Sequence, residues 1–325
     1  MFRAWRRFSK GKRNSPDVAR FELRLEEELV FLQERLSHGV WTADPYREKR
    51  IADPKPRIIH VASIRDRVFF QAVYQQLYQV FEKTFIHDSY ASRKEKGTHA
   101  GVKRFGLFAR KVSLNYRRQA FVLKCDIRKF FDNIDHELLC ALISKHIMDG
   151  KFLALIRRVI ESFALQGGKG LPLGNVTSQI FANIYLNELD QFVKHILKTS
   201  YYIRYCDDFV LLHQDEAVLC KWLLQIHDFL RDRLLLELHP NKVTTRKLRQ
   251  GTDFLGYDSL QHYSVLRTKT KKRMLKRLTL LAGRIHTDED FAHAEPVIRS
   301  YLGLLAHCKG KRLRKTIELK FKEWF

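Results

Sequence analysis

The sequence has little of what builds disulfide-rich, zinc-binding or membrane-spanning proteins. Its five cysteines are scattered, odd in number and contain no Cys-x-x-Cys pair, which argues against a disulfide framework or a zinc site. No HExxH motif occurs, and no apolar run approaches the roughly 20 residues that cross a bilayer. The first residues, MFRAWRRFSKGKRNSP, lack an apolar h-region. We therefore expect a soluble protein of a reducing cytosol, with no secretory signal and no membrane partner.

Negative charge is also scarce. Sixty Lys and Arg residues against 36 Asp and Glu residues give a net charge of +24, and the basic residues recur along the whole chain of 325 residues. Such an excess indicates a polyanionic partner, with a basic but merely solvated surface as the alternative. The length predicts a large core with a smaller appended unit.

Hydrophobic periodicity and turn residues predict alternating helices and strands. The predicted helices are 18–38, 66–85, 216–234, one carrying the apolar residues of 181–196, and a basic helical tail from about 269. The predicted strands are two within 46–62, around an Asp-Pro-Lys-Pro turn, then 120–127, a hairpin within 201–212, and a single short strand in 253–260.

Three aspartates stand out in this pattern. Asp207 and Asp208 lie at the tip of the hairpin YYIRYCDDFVLL, and Asp126 ends a strand much earlier in the chain. Ionised carboxylates are costly to desolvate without a cation, and Mg²⁺ takes oxygen ligands from carboxylates and substrate phosphates. Two such ions about 3.5–4 Å apart stabilise an in-line phosphoryl displacement. We therefore predict that the three aspartates form a two-metal site; an ordinary Asp-Asp turn is the alternative.

The order of the motifs resembles the reverse transcriptases over roughly 46–260. Five segments carry the resemblance: Asp126 with the following IRKFFDNID as motif A, GLPLGNVTSQIFANIYL (170–186) as motif B, YCDD (205–208) as motif C, LHPNK (238–242) as motif D, and DFLGY (253–257) as the primer-gripping strand.

This resemblance implies an α+β right-hand polymerase, with fingers and a palm built on an antiparallel sheet, followed by a helical thumb. The expected regions are a basic, helical N-terminal extension (1–45), fingers (46–118), palm (119–260, with the motif B segment 167–186) and thumb (261–325). Basic residues of the thumb, interleaved with Tyr301 and Trp324, would bind the phosphates of the template–primer without sequence preference.

Motif B departs from the common pattern, because Leu173-Gly174 and Ser178-Gln179 replace Gln-Gly and Ser-Pro. With SYASRKEKGTHAG (89–101) and IRDR (64–67), this variant resembles the reverse transcriptases of diversity-generating retroelements. Those enzymes copy a template-repeat RNA into error-prone cDNA, with errors mainly opposite adenines, for mutagenic retrohoming. The resemblance implies the cytosol of a prokaryote.

The partners implied by this resemblance are a structured template RNA, the RNA/cDNA hybrid, deoxynucleoside triphosphates and a small basic oligomeric accessory protein. Three alternatives stay open. One is a retron-like or defence-associated reverse transcriptase, another is a group II intron enzyme, and the last is a catalytically silent RNA-binding scaffold. The intact aspartates and Lys242 argue against the scaffold.

The resemblance also assigns roles to the metal site. Asp126 and Asp207 are expected to share two Mg²⁺ ions, for which Mn²⁺ could substitute, and Asp208 is a weaker or outer ligand because neighbouring strand residues point in different directions. The Ile127 carbonyl would complete the shell. Lys242 is a candidate proton donor to the leaving pyrophosphate, with a surface charge as the alternative.

The nucleotide is expected to meet a second set of residues. Phe131 matches the steric gate against a ribose 2′-hydroxyl, although either Phe130 or Phe131 must be core. Gly174 lets the backbone approach the nucleotide. The remaining candidates for substrate binding are Arg57, which matches a triphosphate-gripping position, the weaker Arg50 and Lys55, and Leu173 and Gln179 of motif B.

Overall fold

The computed structural model describes residues 1–52, 56–165 and 167–322. Its helices are α1 Phe2–Ser9, α2 Pro16–Leu23, α3 Leu25–Ser37, α4 Ile64–Phe81, α5 Thr98–Val112, α6 Phe130–Asn133, α7 His136–Ser144, α8 Gly150–Glu161, α9 Val176–Gln191, α10 Glu216–Leu234, α11 Thr268–Ala282, α12 Asp288–Ala306 and α13 Lys311–Lys320. Its strands are β1 Arg47–Ile51, β2 Arg57–Val61, β3 Phe121–Asp126, β4 Tyr202–Tyr205, β5 Asp208–His213, β6 Thr244–Lys247, β7 Thr252–Phe254, β8 Tyr257–Ser259 and β9 Ser264–Leu266.

The strands form three antiparallel sheets. A hairpin joins β1 to β2, a four-stranded sheet has the order β4-β5-β3-β6, and a smaller sheet has the order β7-β8-β9. The predicted α+β class with an antiparallel central sheet is confirmed. Within the described part of the chain, no helix combines the length and apolarity that a membrane span requires.

The four-stranded sheet has a core on each face, because side chains alternate along a strand. On one face, Leu123 and Phe209 pack with apolar residues of α9 and α10. On the other face, Val122 and Val210 pack with apolar residues of α5. The same alternation places Lys124, Asp126 and Asp208 on the α5 face, at the end of the sheet where β3 finishes and β5 begins.

Two predicted elements differ from the structure. The single helix over 18–38 is wrong at Arg24, whose backbone (φ −120°, ψ 29°) interrupts it and allows Phe21 and Leu29 to pack in one small core with Trp5 of α1. The single strand over 253–260 is a hairpin instead, because Leu255 and Gly256 both take positive φ values of 54° and 85°. The predicted helix 216–234 is confirmed as α10.

The last helices form a unit with its own core. Apolar residues of α11, α12 and α13 pack together and against Tyr257 of β8 and Leu266 of β9. This agrees with the predicted helical thumb, although the domain boundaries themselves stay a prediction. Trp324, named with the thumb, lies outside the described residues.

Candidate active site

The strand register brings the three predicted aspartates to one end of the sheet. In the antiparallel pair of β3 and β5, Asp126 lies directly opposite Asp208. Asp207 lies with Cys206 in the tight turn between β4 and β5, and its carbonyl oxygen accepts a hydrogen bond from the Ile127 N–H at 3.2 Å. Like charges in opposed strand positions are destabilising, so this arrangement requires compensating cations.

The turn that carries Asp207 has an unusual backbone. Cys206 has φ 55°, a left-handed conformation that few residues other than glycine adopt. Its side chain packs against the main core. Burial and the nearby Asp207 carboxylate raise the pKa of Cys206 to about 12. The thiol therefore stays protonated at neutral pH and is a poor nucleophile.

Two lysines supply part of the compensating charge. The ammonium of Lys242 donates a hydrogen bond to Asp126 Oδ1 at 2.7 Å, and Lys124 Nζ lies 3.6 Å from Asp208 Oδ2. Lys124 also donates to the carbonyl of Asp253 at 2.8 Å, which ties β3 to β7. Lys124 was missed in the sequence, yet its position two residues before Asp126, on the same strand face, was a readable signal.

The compensation is incomplete. Burial raises the pKa of Asp207. Burial also raises the pKa of Asp208 to about 7, with Lys124 opposing the rise and the carboxylates of Asp126 and Asp207 adding to it. Asp208 Oδ1 is buried and has no hydrogen-bond partner. This corner of the sheet therefore carries more buried negative charge than its lysines neutralise.

The donor chemistry fits Mg²⁺, although the described residues show no ready-made metal site. Asp126, Asp207 and Asp208 offer the hard oxygen ligands that Mg²⁺ prefers, and the unpartnered Asp208 Oδ1 is available to a cation. Nowhere in 1–52, 56–165 or 167–322 do three or more His, Cys, Asp or Glu side chains already form a group that could hold a metal. Lys242 donates to Asp126 Oδ1, so its ammonium occupies one of the two oxygens that this carboxylate would offer to a cation.

Phe131 lies just beyond the carboxylates, in α6. Its ring is half-buried and packs edge-on against Phe130, with ring centroids 5.3 Å apart, whereas Phe130 is buried in the main core. The prediction that one phenylalanine of the pair is core is therefore confirmed for Phe130. The Phe131 carbonyl accepts a hydrogen bond from the Leu171 N–H at 2.8 Å, which joins motif A to motif B.

The segment before α9 places the motif B residues beside the β1–β2 hairpin. The Leu173 carbonyl accepts a hydrogen bond from the His60 N–H at 3.3 Å. Gly174 has φ +113°, and a Cβ there would meet only the His60 carbonyl, at 3.9 Å, so backbone conformation rather than space favours glycine. Leu173 is half-buried, and Gln179 is exposed on the first turn of α9.

The hairpin separates two of the predicted phosphate-binding arginines. Arg50 lies opposite Ile58, and Arg57 lies opposite Ile51. Because opposed residues share a face and neighbours alternate, the two arginines, both exposed, point to opposite faces of the hairpin. Only one of them can grip a given triphosphate, and Arg57 stays the predicted one. Lys55 lies outside the described residues.

Sequence reasoning missed a buried ion pair beneath the turn that carries Asp207. Arg204, in β4, is fully buried and donates to both oxygens of Asp190 in α9, at 2.8 and 2.6 Å. Arg204 Nη1 donates to the carbonyl of Cys206 at 3.2 Å, and the Tyr202 hydroxyl donates to Asp190 Oδ1 at 2.8 Å. The pair therefore ties the turn to the motif B helix. An arginine inside the apolar run YYIRYC was its only sequence signal.

Comparisons with known proteins agree with this geometry. Residues 48–259 match the family model described as reverse transcriptase (RNA-dependent DNA polymerase). The group II intron-encoded protein LtrA of Lactococcus lactis subsp. cremoris is 26% identical, covering 78% of this chain and 53% of LtrA. Protein YkfC of Escherichia coli (strain K12) is 25% identical, covering 73% of this chain and 72% of YkfC. The chain thus spans about half the length of LtrA.

Solved structures show the same fold. Apo telomerase from Candida tropicalis, truncated from its C-terminal domain, superposes with a TM-score of 0.52 at 14% identity, covering 72% of this chain and 59% of that one. Telomerase from Candida albicans, in complex with a TWJ fragment of telomeric RNA, gives a TM-score of 0.52 at 12% identity, covering 87% and 55%. Since the family match extends over well more than half of the residues and includes all three aspartates, the chain belongs to the reverse transcriptase family.

Proposed function

We propose that this protein is an RNA-directed DNA polymerase. The observation that carries the proposal is the convergence of Asp126, Asp207 and Asp208 at one end of a sheet in a reverse transcriptase fold, with one buried carboxylate oxygen unpartnered. The net charge of +24 supports a nucleic-acid substrate. In the proposed reaction, the 3′-hydroxyl of a primer attacks the α-phosphorus of a deoxynucleoside triphosphate, and pyrophosphate leaves.

The residues of the site divide this work between them. Asp126 and Asp207 would hold two Mg²⁺ ions, with Asp208 and the Ile127 carbonyl as further ligands. The bound ions supply charge stabilisation at the attacking and leaving oxygens. Lys242 is half-exposed and reaches Asp126, and its ammonium is the group that would donate a proton to the leaving pyrophosphate.

Selection of the nucleotide falls to the residues around motif B and the hairpin. The Phe131 ring excludes a ribose 2′-hydroxyl, and the Arg57 guanidinium binds the triphosphate through charge-assisted hydrogen bonds. Leu173 and Gly174 lie under the incoming nucleotide, and Gln179 faces it from α9. The contact between His60 and Leu173 supports this arrangement, because it holds the hairpin against motif B.

Primer extension tests the activity directly. The purified protein is given a DNA primer on an RNA template, with deoxynucleotides and Mg²⁺. We expect extension that stops when EDTA removes the metal, resumes with Mg²⁺ or Mn²⁺, and falls sharply when ribonucleotides replace deoxynucleotides. Metal-independent extension, or none on any primed template, would overturn the proposal.

We further propose that the template is a template-repeat RNA and the product an error-prone cDNA for mutagenic retrohoming in a prokaryotic cytosol. The support is the motif B variant, with Leu173-Gly174 and Ser178-Gln179. A structured RNA and a small basic accessory oligomer are the implied partners. Sequencing cDNA made from an RNA of mixed composition tests the idea: errors concentrated opposite adenines support it, and evenly distributed errors contradict it.

A group II intron-like reverse transcriptase is the second candidate. The matches to LtrA and YkfC favour it, since the former is named as a group II intron-encoded protein. The genetic neighbourhood separates the two. A nearly identical repeat pair that differs at adenines indicates the diversity-generating system, whereas flanking intron RNA sequence indicates the group II system.

A further inference from the structure

Two neighbouring cavities lie along α5 and the loop that follows it. The first has a volume of about 410 Å³, and the second of about 250 Å³. Polar lining residues of the first include His99, Lys103, Arg110, Tyr257, Tyr263 and His307. Those of the second include Tyr116, Arg117, Arg118, Arg249 and Gln261. None of the described residues that line either cavity is acidic. We call the two cavities together the α5 basic groove.

The cavities are adjacent to each other. Gln261 lines the second cavity and Tyr263 lines the first. Residues that are two positions apart are separated by at most about 7 Å. Burial raises the pKa of Tyr116, and the nearby guanidinium of Arg110 opposes that rise. Arg110 of the first cavity therefore lies close to Tyr116 of the second, and the two cavities are neighbours on one basic surface.

The second cavity is remote from the aspartates. Ala120, which lines the second cavity, immediately precedes the start of β3, whereas Asp126 ends that strand. Six strand positions at about 3.3 Å each place these residues about 20 Å apart. The second cavity therefore belongs neither to the metal site nor to the nucleotide site beside it.

Aromatic rings and cations lie close together along the groove. His99 stacks on His307 with centroids 3.6 Å apart and planes at 22°, and Tyr116 contacts His262 edge-on at 5.4 Å. The Lys309 ammonium lies 4.6 Å from the centre of the Tyr263 ring. His99 Nε2 is buried and has no hydrogen-bond partner, which is uncommon for a buried polar atom and leaves it available to a ligand.

We propose that the α5 basic groove binds a single-stranded segment of RNA, separately from the template–primer at the catalytic aspartates. Single strands bind to proteins through aromatic rings that stack on bases and through cations that track the phosphates. Two neighbouring cavities of this kind suit consecutive nucleotides of a strand better than one free nucleotide. The proposal depends on the proposed function only in taking nucleic acid as the ligand.

Binding without catalysis tests the proposal. A fluorescent single-stranded RNA of about twelve nucleotides, within the range of known single-strand sites, is titrated in EDTA without deoxynucleotides. We expect the double variant Lys103→Gln/Arg110→Gln to bind at least fivefold more weakly and to reduce the slope of log affinity against log salt by about 0.7 per lost phosphate contact. Tyr263→Ala should weaken binding with little change in that slope.

Lys111→Gln is the matched control, because Lys111 is exposed on the same helix but lines neither cavity. It should bind within twofold of the unmodified protein. Equal losses for the double variant and a control of equal charge, Lys111→Gln/Lys198→Gln, would overturn the proposal. So would competition by millimolar AMP that depends on Lys103, since it would identify a free-nucleotide site. All of these results are independent of whether the protein extends primers.

Discussion

Asp190 and Asp208 lie on opposite sides of the four-stranded sheet, and their bonding partners differ. Asp190 and its partner Arg204 are fully buried, and both oxygens of Asp190 accept hydrogen bonds from the guanidinium. Asp208 has one lysine at 3.6 Å, one oxygen without a partner, and a pKa raised by burial to about 7. The first carboxylate is satisfied by the protein alone, and the second is not.

The difference separates structural charge from functional charge. A buried ion pair with all its hydrogen bonds made holds its elements in one arrangement, and here it fixes the turn that carries Asp207. A buried carboxylate with an unmet bonding requirement costs stability, and such groups cluster at functional sites. We infer that the bonding of Asp208 is left incomplete so that a cation can complete it, and that the Asp190–Arg204 ion pair supplies the rigidity.

Removal of Arg204 from its ion pair with Asp190 should have the largest effect on stability. Arg204→Met leaves Asp190 buried and unpaired, so we expect a loss of about 3–5 kcal/mol in the free energy of unfolding. The urea midpoint measures it. The double variant Arg204→Met/Asp190→Leu should recover most of the loss, because no charge then stays buried. A single variant within about 1 kcal/mol of the unmodified protein would show that the pair is not structural.

Removal of the Asp208 carboxylate should have a smaller, pH-dependent effect, and it should raise stability rather than lower it. The folded protein holds the Asp208 proton more tightly than the unfolded chain does, so ionisation of Asp208 lowers stability as pH rises from about 4 to about 7. In EDTA, Asp208→Asn should therefore be more stable than the unmodified protein at pH 8, on the order of 2 kcal/mol after allowance for solvent screening, and no more stable at pH 4. Equal midpoints at pH 8 would contradict the account.

The site around Asp208 could be predicted from the sequence, whereas the Asp190–Arg204 ion pair could not. Adjacent aspartates stand out in an apolar strand because their charge breaks its hydrophobic pattern. The order of the motifs then identifies the strand that ends at Asp126 as their partner. The partner of Arg204 depends on the approach of α9, which no local pattern reveals. Register effects were equally hidden, because the sequence does not show that strand pairing places Arg50 and Arg57 on opposite faces of the hairpin. The helix break at Arg24 was also missed, since it serves the tertiary core around Trp5.

The next effect in size comes from opening the space beside the three aspartates. Phe131→Ala removes the ring that excludes a ribose hydroxyl, so ribonucleotide incorporation relative to deoxynucleotide should rise about 10- to 100-fold. Matched ribo- and deoxynucleotides on one RNA template give the ratio. An unchanged ratio in an active variant would show that Phe131, like Phe130, serves only the core.

The smallest expected effect concerns fidelity at Leu173. Leucine offers only dispersion contact, whereas glutamine can donate a directional hydrogen bond that forms best in a correctly paired complex. One net hydrogen bond of about 0.5–1.5 kcal/mol corresponds to about two- to tenfold in discrimination. Leu173→Gln should lower errors opposite template adenines by that factor. Equal error frequencies in sequenced cDNA, at comparable extension, would place the cause of infidelity elsewhere.

The most direct test of the contrast between the three aspartates and the Asp190–Arg204 ion pair is Asp207→Asn, assayed for both primer extension and thermal unfolding. Asp232→Asn serves as the control, because Asp232 is exposed on α10. We predict that Asp207→Asn lowers Mg²⁺-dependent, RNA-templated deoxynucleotide incorporation by about a thousandfold or more, an effect of the size seen when a main electrostatic stabiliser of a transition state is removed. Its melting temperature should stay equal to or above that of the unmodified protein, since a carboxylate whose pKa is raised by burial is lost. A folded Asp207→Asn variant that extends primers within threefold of the unmodified protein would contradict the central claim.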